Sequence, residues 1–321
     1  MTAINDATAT AQVRPAPPTV EAPRPEAGWR RRDRRWGYVF VGPQLVGMAL
    51  FVVLPFVASI VLAFAQWDGL TAPSWVGLDN FRAELSDPLF GRSIVNTLLI
   101  SVITVPIGLG LAVVLAVALE RLRTRTLYLV LFFAPVVTSS VAVAMIWQQL
   151  FRKDGVLSGL ISTVFRVPPP DWLQDPHLAL IAVCIVTIWS SVGLNVIIFL
   201  AGLQNISPTV IEAARLDGAG AFALFFRVRL PLLSPIVFFS TVIAFISSLQ
   251  TFDTVFILTA NAGPDNATRT IVYHIYDLGF GKFQFGPASA ASIILLVITL
   301  VITGIQFTAQ KRFVHYEDDA A

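Results

Sequence analysis

Residues 178–219 read LALIAVCIVTIWSSVGLNVIIFLAGLQNISPTVIEAARLDGA. From Leu178 to Leu203 there is no Asp, Glu, Lys or Arg; Glu212, Arg215 and Asp217 then follow within a few residues. A second apolar run begins at Leu232. A run of about 20 apolar residues is what a helix needs to cross a bilayer. The stretch is therefore a charged island between two membrane spans. Ser207 suits a helix N-cap and Pro208 the first helical position, which predicts a helix over Thr209–Leu216. Asp217-Gly218 should break it, because glycine takes the left-handed conformation that ends helices. A second helix is expected near 220–229, with Phe222, Phe225 and Phe226 roughly on one side and Pro231 as its stop. The island reads as two short helices hinged at a glycine and held at a membrane face. Glu212 would face solvent, free to pair with a basic residue on a partner. The plain alternative is an amphipathic loop that meets nothing.

The rest of the chain agrees with a membrane setting. Of 321 residues, 55% are hydrophobic and 13% charged, and the mean hydropathy is +0.74. A soluble domain usually carries about 25% charged residues. Six apolar segments stand out, near 38–66, 94–119, 127–151, 178–203, 232–259 and 288–310, and Asp253 is the only charged residue in any of them. The fold expected is all-α, a polytopic helix bundle with six transmembrane helices. Buried helices of a large soluble protein are the competing reading, and six uncharged spans of this length argue against it. If the N-terminus lies inside, 15 of the 22 Lys and Arg fall on inner segments, including Arg30, Arg31, Arg32, Arg34 and Arg35 just before the first span. That bias predicts both termini in the cytoplasm. Residues 1–37 are expected to form a disordered basic tail, rich in Ala and Pro over the first 28 residues. Residues 38–312 form the transmembrane domain, with the charged loop at 207–231, and 313–321 a short inner tail. The first apolar run is too long for the core of a signal peptide. The Arg34-Arg35 pair is explained better as a positive-inside anchor than as an export signal. A short surface helix is expected within 79–93, with Phe81, Leu85 and Leu89 at helical spacing.

Polar residues inside the spans are candidates for a solute path, because such groups are scarce there and usually functional. The set is Ser140 in the third span, Thr187, Ser191 and Asn195 in the fourth, and Ser248, Gln250, Thr251 and Asp253 in the fifth. Thr187, Ser191 and Asn195 are spaced by four and share one helix face. The structural alternative is hydrogen bonding between helices. For Asp253 a structural or gating role is favoured over solute contact. Pro55, Pro106 and Pro135 fall inside spans and are expected to kink them. Catalysis is not expected. There is no phosphate-binding Gly-x-x-x-x-Gly-Lys-Ser/Thr loop, and His177, His274 and His315 are dispersed. No metal site is expected. The single cysteine, Cys184, cannot form an internal disulfide. The net charge of +2 gives no basic surface for nucleic acid.

Glu212-Ala213-Ala214, Asp217-Gly218-Ala219, Phe225, Val228, Leu230-Pro231 and Pro235 closely resemble the EAA loop of ATP-binding-cassette importer permeases. Trp189 through Leu200-Ala201-Gly202-Leu203-Gln204, Leu249-Gln250-Thr251-Phe252-Asp253, Ile257-Leu258-Thr259 and Phe285-Gly286 resemble the sugar-importing permeases of the maltose and glycerol-phosphate type. The chain departs from them at Ala260-Asn261-Ala262 before Gly263, where the family tends to show a tighter glycine pair. The resemblance covers roughly residues 38–312. It implies a permease in a bacterial cytoplasmic membrane, in contact with lipid and paired with a second, similar permease. Two cytoplasmic ATPase subunits would use ATP and Mg, and an extracytoplasmic binding protein would deliver the sugar. Glu212, Ala213, Ala214, Asp217, Gly218 and Ala219 would then form a cytoplasmic coupling helix against the ATPase, and this chain would bind no cofactor itself. The nearest alternatives are an importer for a non-sugar solute and an ion-coupled secondary transporter; the latter would need more intramembrane charge than Asp253.

Overall fold

The computed structural model describes residues 27–120 and 122–313, which are almost wholly helical. The expected disorder of the first residues and the inner tail at 314–321 lie outside the described residues. The chain divides into two units, Met1–Val57 and Ala58–Ala321. The first contains α1 (Ala27–Met48), a π-turn at Ala49–Val53 and the start of α2 (Leu54–Leu62). Helix therefore begins at Ala27, inside the segment read as a disordered tail to residue 37. The arginine-rich stretch after Pro25 has good helix propensity and runs straight into the apolar span.

The second unit opens with a two-stranded antiparallel hairpin, β1 (Ala65–Gln66) and β2 (Ser74–Trp75). The surface helix α3 (Asp79–Ser86) follows, and Leu89 belongs instead to the start of α4 (Pro88–Glu120). Then come α5 (Arg125–Val137), α6 (Ser140–Phe151), α7 (Val156–Phe165), α8 (Pro176–Gln204), α9 (Pro208–Leu216), α10 (Ala221–Leu224), α11 (Leu230–Leu249), α12 (Asp253–Leu258), α13 (Ile271–Tyr276) and α14 (Phe285–Phe313). Among the described residues five helical stretches are long and apolar enough to cross a membrane: Trp36–Leu62, Pro88–Glu120, Pro176–Gln204, Ala221–Leu249 and Phe285–Gln310. A sixth crossing exists if Arg125–Val137 and Ser140–Phe165 count as one span bent by 101°.

Two spans differ from the simple hydropathy reading, each for a backbone reason. The third is broken at Thr138-Ser139. Pro135 has no N–H to give the preceding turn. The Thr138 hydroxyl then donates to the Ala134 carbonyl at 2.8 Å, and Ser139 is extended with ψ 132°. The fifth begins at Ala221, not Leu232, because Pro231 does not stop its helix. A π-turn at Phe225–Arg229 precedes the proline, with the Leu230 N–H donating to the Phe225 carbonyl five residues back. The wider turn accommodates the missing donor. The same device stands before Pro55, where Leu54 N–H donates to Ala49 O. Pro106, by contrast, sits inside α4 without ending it. The fifth span also ends early, at Leu249. Phe252 is non-helical (φ −132°, ψ −60°), and the freed Thr251 carbonyl accepts from the Thr270 hydroxyl at 2.9 Å.

Close packing centres on α4 and α8. One apolar cluster joins Val105, Leu109, Ala112 and Ala116 of α4 to Val192, Val196, Phe199 and Leu203 of α8 and to Leu233 of α11. Gly193 lets α5 approach α8, since a Cβ there would run into the Phe132 carbonyl. A second cluster packs Ile100, Val143, Phe151, Val183, Val186, Val255 and Leu258.

Candidate functional site

A cavity of about 250 Å³ opens between α4, α5, α8 and α11. Five of the eight predicted path residues line it: Thr187, Ser191, Asn195, Ser248 and Thr251. The four-residue spacing on α8 places its three polar side chains on one face, as the helical period requires. Asn195 donates from Nδ2 to the Ser191 carbonyl at 2.9 Å, which leaves its Oδ1 as an acceptor. Ser191 donates to Ile188 O at 3.1 Å. Ser248 is also a packing residue: its hydroxyl donates to Ser101 Oγ at 2.9 Å and lies 3.3 Å from Thr104 Oγ1.

Two cavity hydroxyls, Thr187 Oγ1 and Ser240 Oγ, are buried without a protein partner. A buried, unpaired hydroxyl costs about 1–3 kcal/mol, so the site is suited to receive a polar guest or water. No Asp, Glu, Lys, Arg or His lines the cavity among the described residues. Thr104, Gly108 and Ser240 were not among the predicted path residues. The signal for α4 was present, because Thr97, Ser101, Thr104 and Gly108 recur at steps of three and four.

The other three predicted residues lie elsewhere. Ser140 donates to Asp253 Oδ2 at 2.5 Å, which links the first residue of α6 to the first residue of α12. Both side chains are exposed. Asp253 thus follows a helix break rather than sitting within a continuous span. Gln250 is exposed at the end of α11 and does not line the cavity.

The charged loop forms as the residue types dictate. Ser207 occupies the N-cap position, although its hydroxyl pairs with Thr209 Oγ1 at 2.6 Å rather than with a backbone N–H. At the far end Gly218 takes φ +83°. Gly218 N–H donates to Arg215 O and Ala219 N–H to Ala214 O, both at 3.0 Å. This pair of bonds is the Schellman termination. Glu212 is exposed. No residue of α9 is buried; downstream, Leu224 is the first side chain of the α10 turn to be buried. Arg229 NH1 then donates to Glu120 Oε2 at 2.6 Å.

A second polar assembly, which hydropathy did not show, lies at the hairpin end of the bundle. His274 Nε2 meets Glu84 Oε2 at 2.8 Å across 190 positions of sequence. Arg269 reaches His274 Nδ1 from Nε at 3.2 Å and Asp277 Oδ2 from NH2 at 2.7 Å. Arginine only donates, so Nδ1 is the acceptor and Nε2 carries the proton given to Glu84. Asn96 Nδ2 donates to Asn266 O and Arg269 O, each at 3.1 Å. Burial works against ionisation of Asp277, but Arg269 and Lys282 outweigh it and hold the carboxyl below its ordinary range. Beside this assembly, Ala260, Asn261 and Ala262 take φ of 39°, 71° and 72°. Left-handed backbone thus falls where the glycine pattern of the resembled permeases is departed from. Among the described residues no His, Cys, Asp and Glu cluster could hold a metal.

The profile described as "Binding-protein-dependent transport system inner membrane component" matches residues 104–315. The chain is 38% identical to the probable ABC transporter permease protein YesP of Bacillus subtilis (strain 168), over 89% of this chain and 94% of that one. It is 32% identical to the lactose transport system permease protein LacF of Rhizobium radiobacter, over 86% of this chain and 94% of that one. In three dimensions it resembles a chain of a bacterial ABC transporter involved in the import of the acidic polysaccharide alginate. There the TM-score is 0.78 at 24% identity, covering 90% of this chain and all of that one.

Proposed function

Because the chain belongs to the binding-protein-dependent transport system inner membrane components, we propose that it carries an uncharged, polyhydroxylated solute, a sugar or polyol, through the cavity between α4, α8 and α11. Its place in the inner membrane as a non-catalytic, multi-pass permease of an ABC importer follows from that membership. The family binds no cofactor, and ATP is used by a separate subunit.

The chemistry of the cavity carries the solute reading. Sugar hydroxyls need donors and acceptors that replace water, and Thr187, Ser240 and Asn195 offer unsatisfied ones. An anion would need a cation or an array of donors, and no charged side chain lines the wall among the described residues. In this respect a neutral substrate such as the lactose named for LacF fits better than an acidic polysaccharide.

The machinery reading rests on the loop. Glu212 and its exposed neighbours would dock on a cytoplasmic ATPase, with a second permease beside the chain, a binding protein opposite, and both termini inside. ATP-driven closure would then shift the bundle between two packed states. Reconstituted importer should take up a neutral saccharide, and Asn195→Leu or Thr187→Val should each lower uptake at sub-saturating solute about fivefold, the worth of about one hydrogen bond. Wild-type uptake by both variants, or a preference for an anionic solute, would defeat the solute reading.

A further inference from the structure

The ion pair between Glu120 and Arg229 is not explained by helix stability. Glu120 is the last residue of α4, where a negative charge is disfavoured by the helix dipole. Its partner is largely withdrawn from water, with side-chain exposures of 9% for Arg229 and 23% for Glu120. Replacing such a pair with apolar residues is often neutral or stabilising, and fixing register is a better-attested use.

Its placement supplies a use. Arg229 ends the π-turn that joins α10 to α11. Among the described residues this is the one ion pair between α4 and the loop-bearing segment. Behind it α9 packs loosely: a space of about 270 Å³ separates Glu212 and Arg215 from Glu120 and Arg229. Farther along, α4 and α11 are tied again, by Ser101 and Thr104 to Ser248 at the solute cavity. Glu120 and Thr104 lie about 24 Å apart along one helix at 1.5 Å per residue. The two helices are thus pinned both at the loop and at the cavity.

We propose that Glu120 and Arg229 are positioning residues that lock α4 to the base of α11, so that displacement of the loop moves both helices together and reshapes the cavity. This rests on the loop being the ATPase contact. The pair does not touch the solute; it sets how much ATPase motion reaches the cavity.

The test is the ratio of solute transported to ATP hydrolysed by the complete importer in proteoliposomes. Glu120→Gln and Arg229→Gln should each lower that ratio at least about fivefold, the lower end of ordinary coupling factors. The ATPase subunit should still co-purify with both variants. The exchange Glu120→Arg with Arg229→Glu should recover most of the ratio. The apolar pair Glu120→Met with Arg229→Met should accumulate as the wild type does and remain uncoupled. A wild-type ratio in the apolar pair, or an exchanged pair that assembles but stays uncoupled, overturns the proposal. Failure of the underlying reading looks different: Glu212→Lys would then leave the ATPase subunit bound and the ratio unchanged.

Discussion

The 207–231 loop and the assembly around His274 are both charged, yet they are built in opposite ways. The loop's termination reaches across no more than five positions of sequence, from Ala214 O to Ala219 N–H, and Glu212 projects into solvent. The His274 assembly joins residues up to 190 positions apart, and Glu84, Arg269 and His274 are all buried. A locally folded knob tethered at Leu224 and Arg229 can be displaced as a unit. A buried network drawn from three segments holds them in one arrangement. On the proposed reading of the loop, the difference separates an end built to be moved from an end built to hold.

Breaking the network tests that difference most severely. Arg269→Leu removes the donor to His274 and the partner of Asp277. It should cost about 2–3 kcal/mol, because it leaves the buried Nδ1 of His274 without a donor and takes from the partly buried Asp277 one of its two cationic partners, Lys282 remaining. Thermal unfolding in detergent would show this as a large fall in midpoint; a change of under about 1 kcal/mol would mean water already serves the network. Gly218→Val should cost less, about 1–2 kcal/mol for a branched residue in the left-handed region. No atom lies within 4 Å of a Cβ there, so the penalty is conformational alone. The variant should insert normally and lose ATPase-coupled transport. Normal solute-stimulated ATP hydrolysis would show that the loop's shape is immaterial.

Glu212→Lys should hardly alter stability, staying within about 0.5 kcal/mol as exposed substitutions do, while abolishing ATPase docking. A stability loss equal to that of Arg269→Leu would erase the proposed contrast.

The smallest effect concerns the hairpin turn. Asp68 accepts from the backbone N–H of Thr71 and Leu70 and from the Thr71 hydroxyl, which lowers its pKa from 3.8 to about 2. A depressed carboxylate pKa gives support that is full above the unfolded value and is lost as pH falls through the folded one. The turn should therefore loosen only between about pH 4 and pH 2. Trp67 reports it, because its Nε1 donates to Thr71 O at 2.8 Å. Fluorescence unchanged across that window would show that the turn does not depend on the carboxylate.

The contrast also explains what the sequence disclosed. Spans are legible because lipid forbids charge over a long run. The loop is legible because Ser207, Pro208 and Gly218 act on their immediate neighbours. The α8 stripe is legible because a four-residue spacing fixes a face, and Thr187, Ser191 and Asn195 do share the cavity. Asp253 and Ser140 were both singled out, but nothing in the spacing could show that they meet each other. The π-turn before Pro231 was hidden as well, since proline alone signals a stop while the preceding turn decides whether the helix survives. Glu84 sits in a segment read as a short surface helix and His274 in one that looks like an ordinary surface loop, and only three-dimensional proximity makes them partners. Dispersed in sequence, as the histidines are, does not mean solitary in space.

The central claim is that residues 208–224 receive a separate ATPase at the inner face. The most direct measurement places a crosslinkable cysteine at that point, by Glu212→Cys, in the purified complete importer; the native Cys184 is buried. The account predicts a crosslink to the ATPase subunit and no labelling of intact cells by a membrane-impermeant thiol reagent. Labelling from outside, with no crosslink to the ATPase, would contradict it.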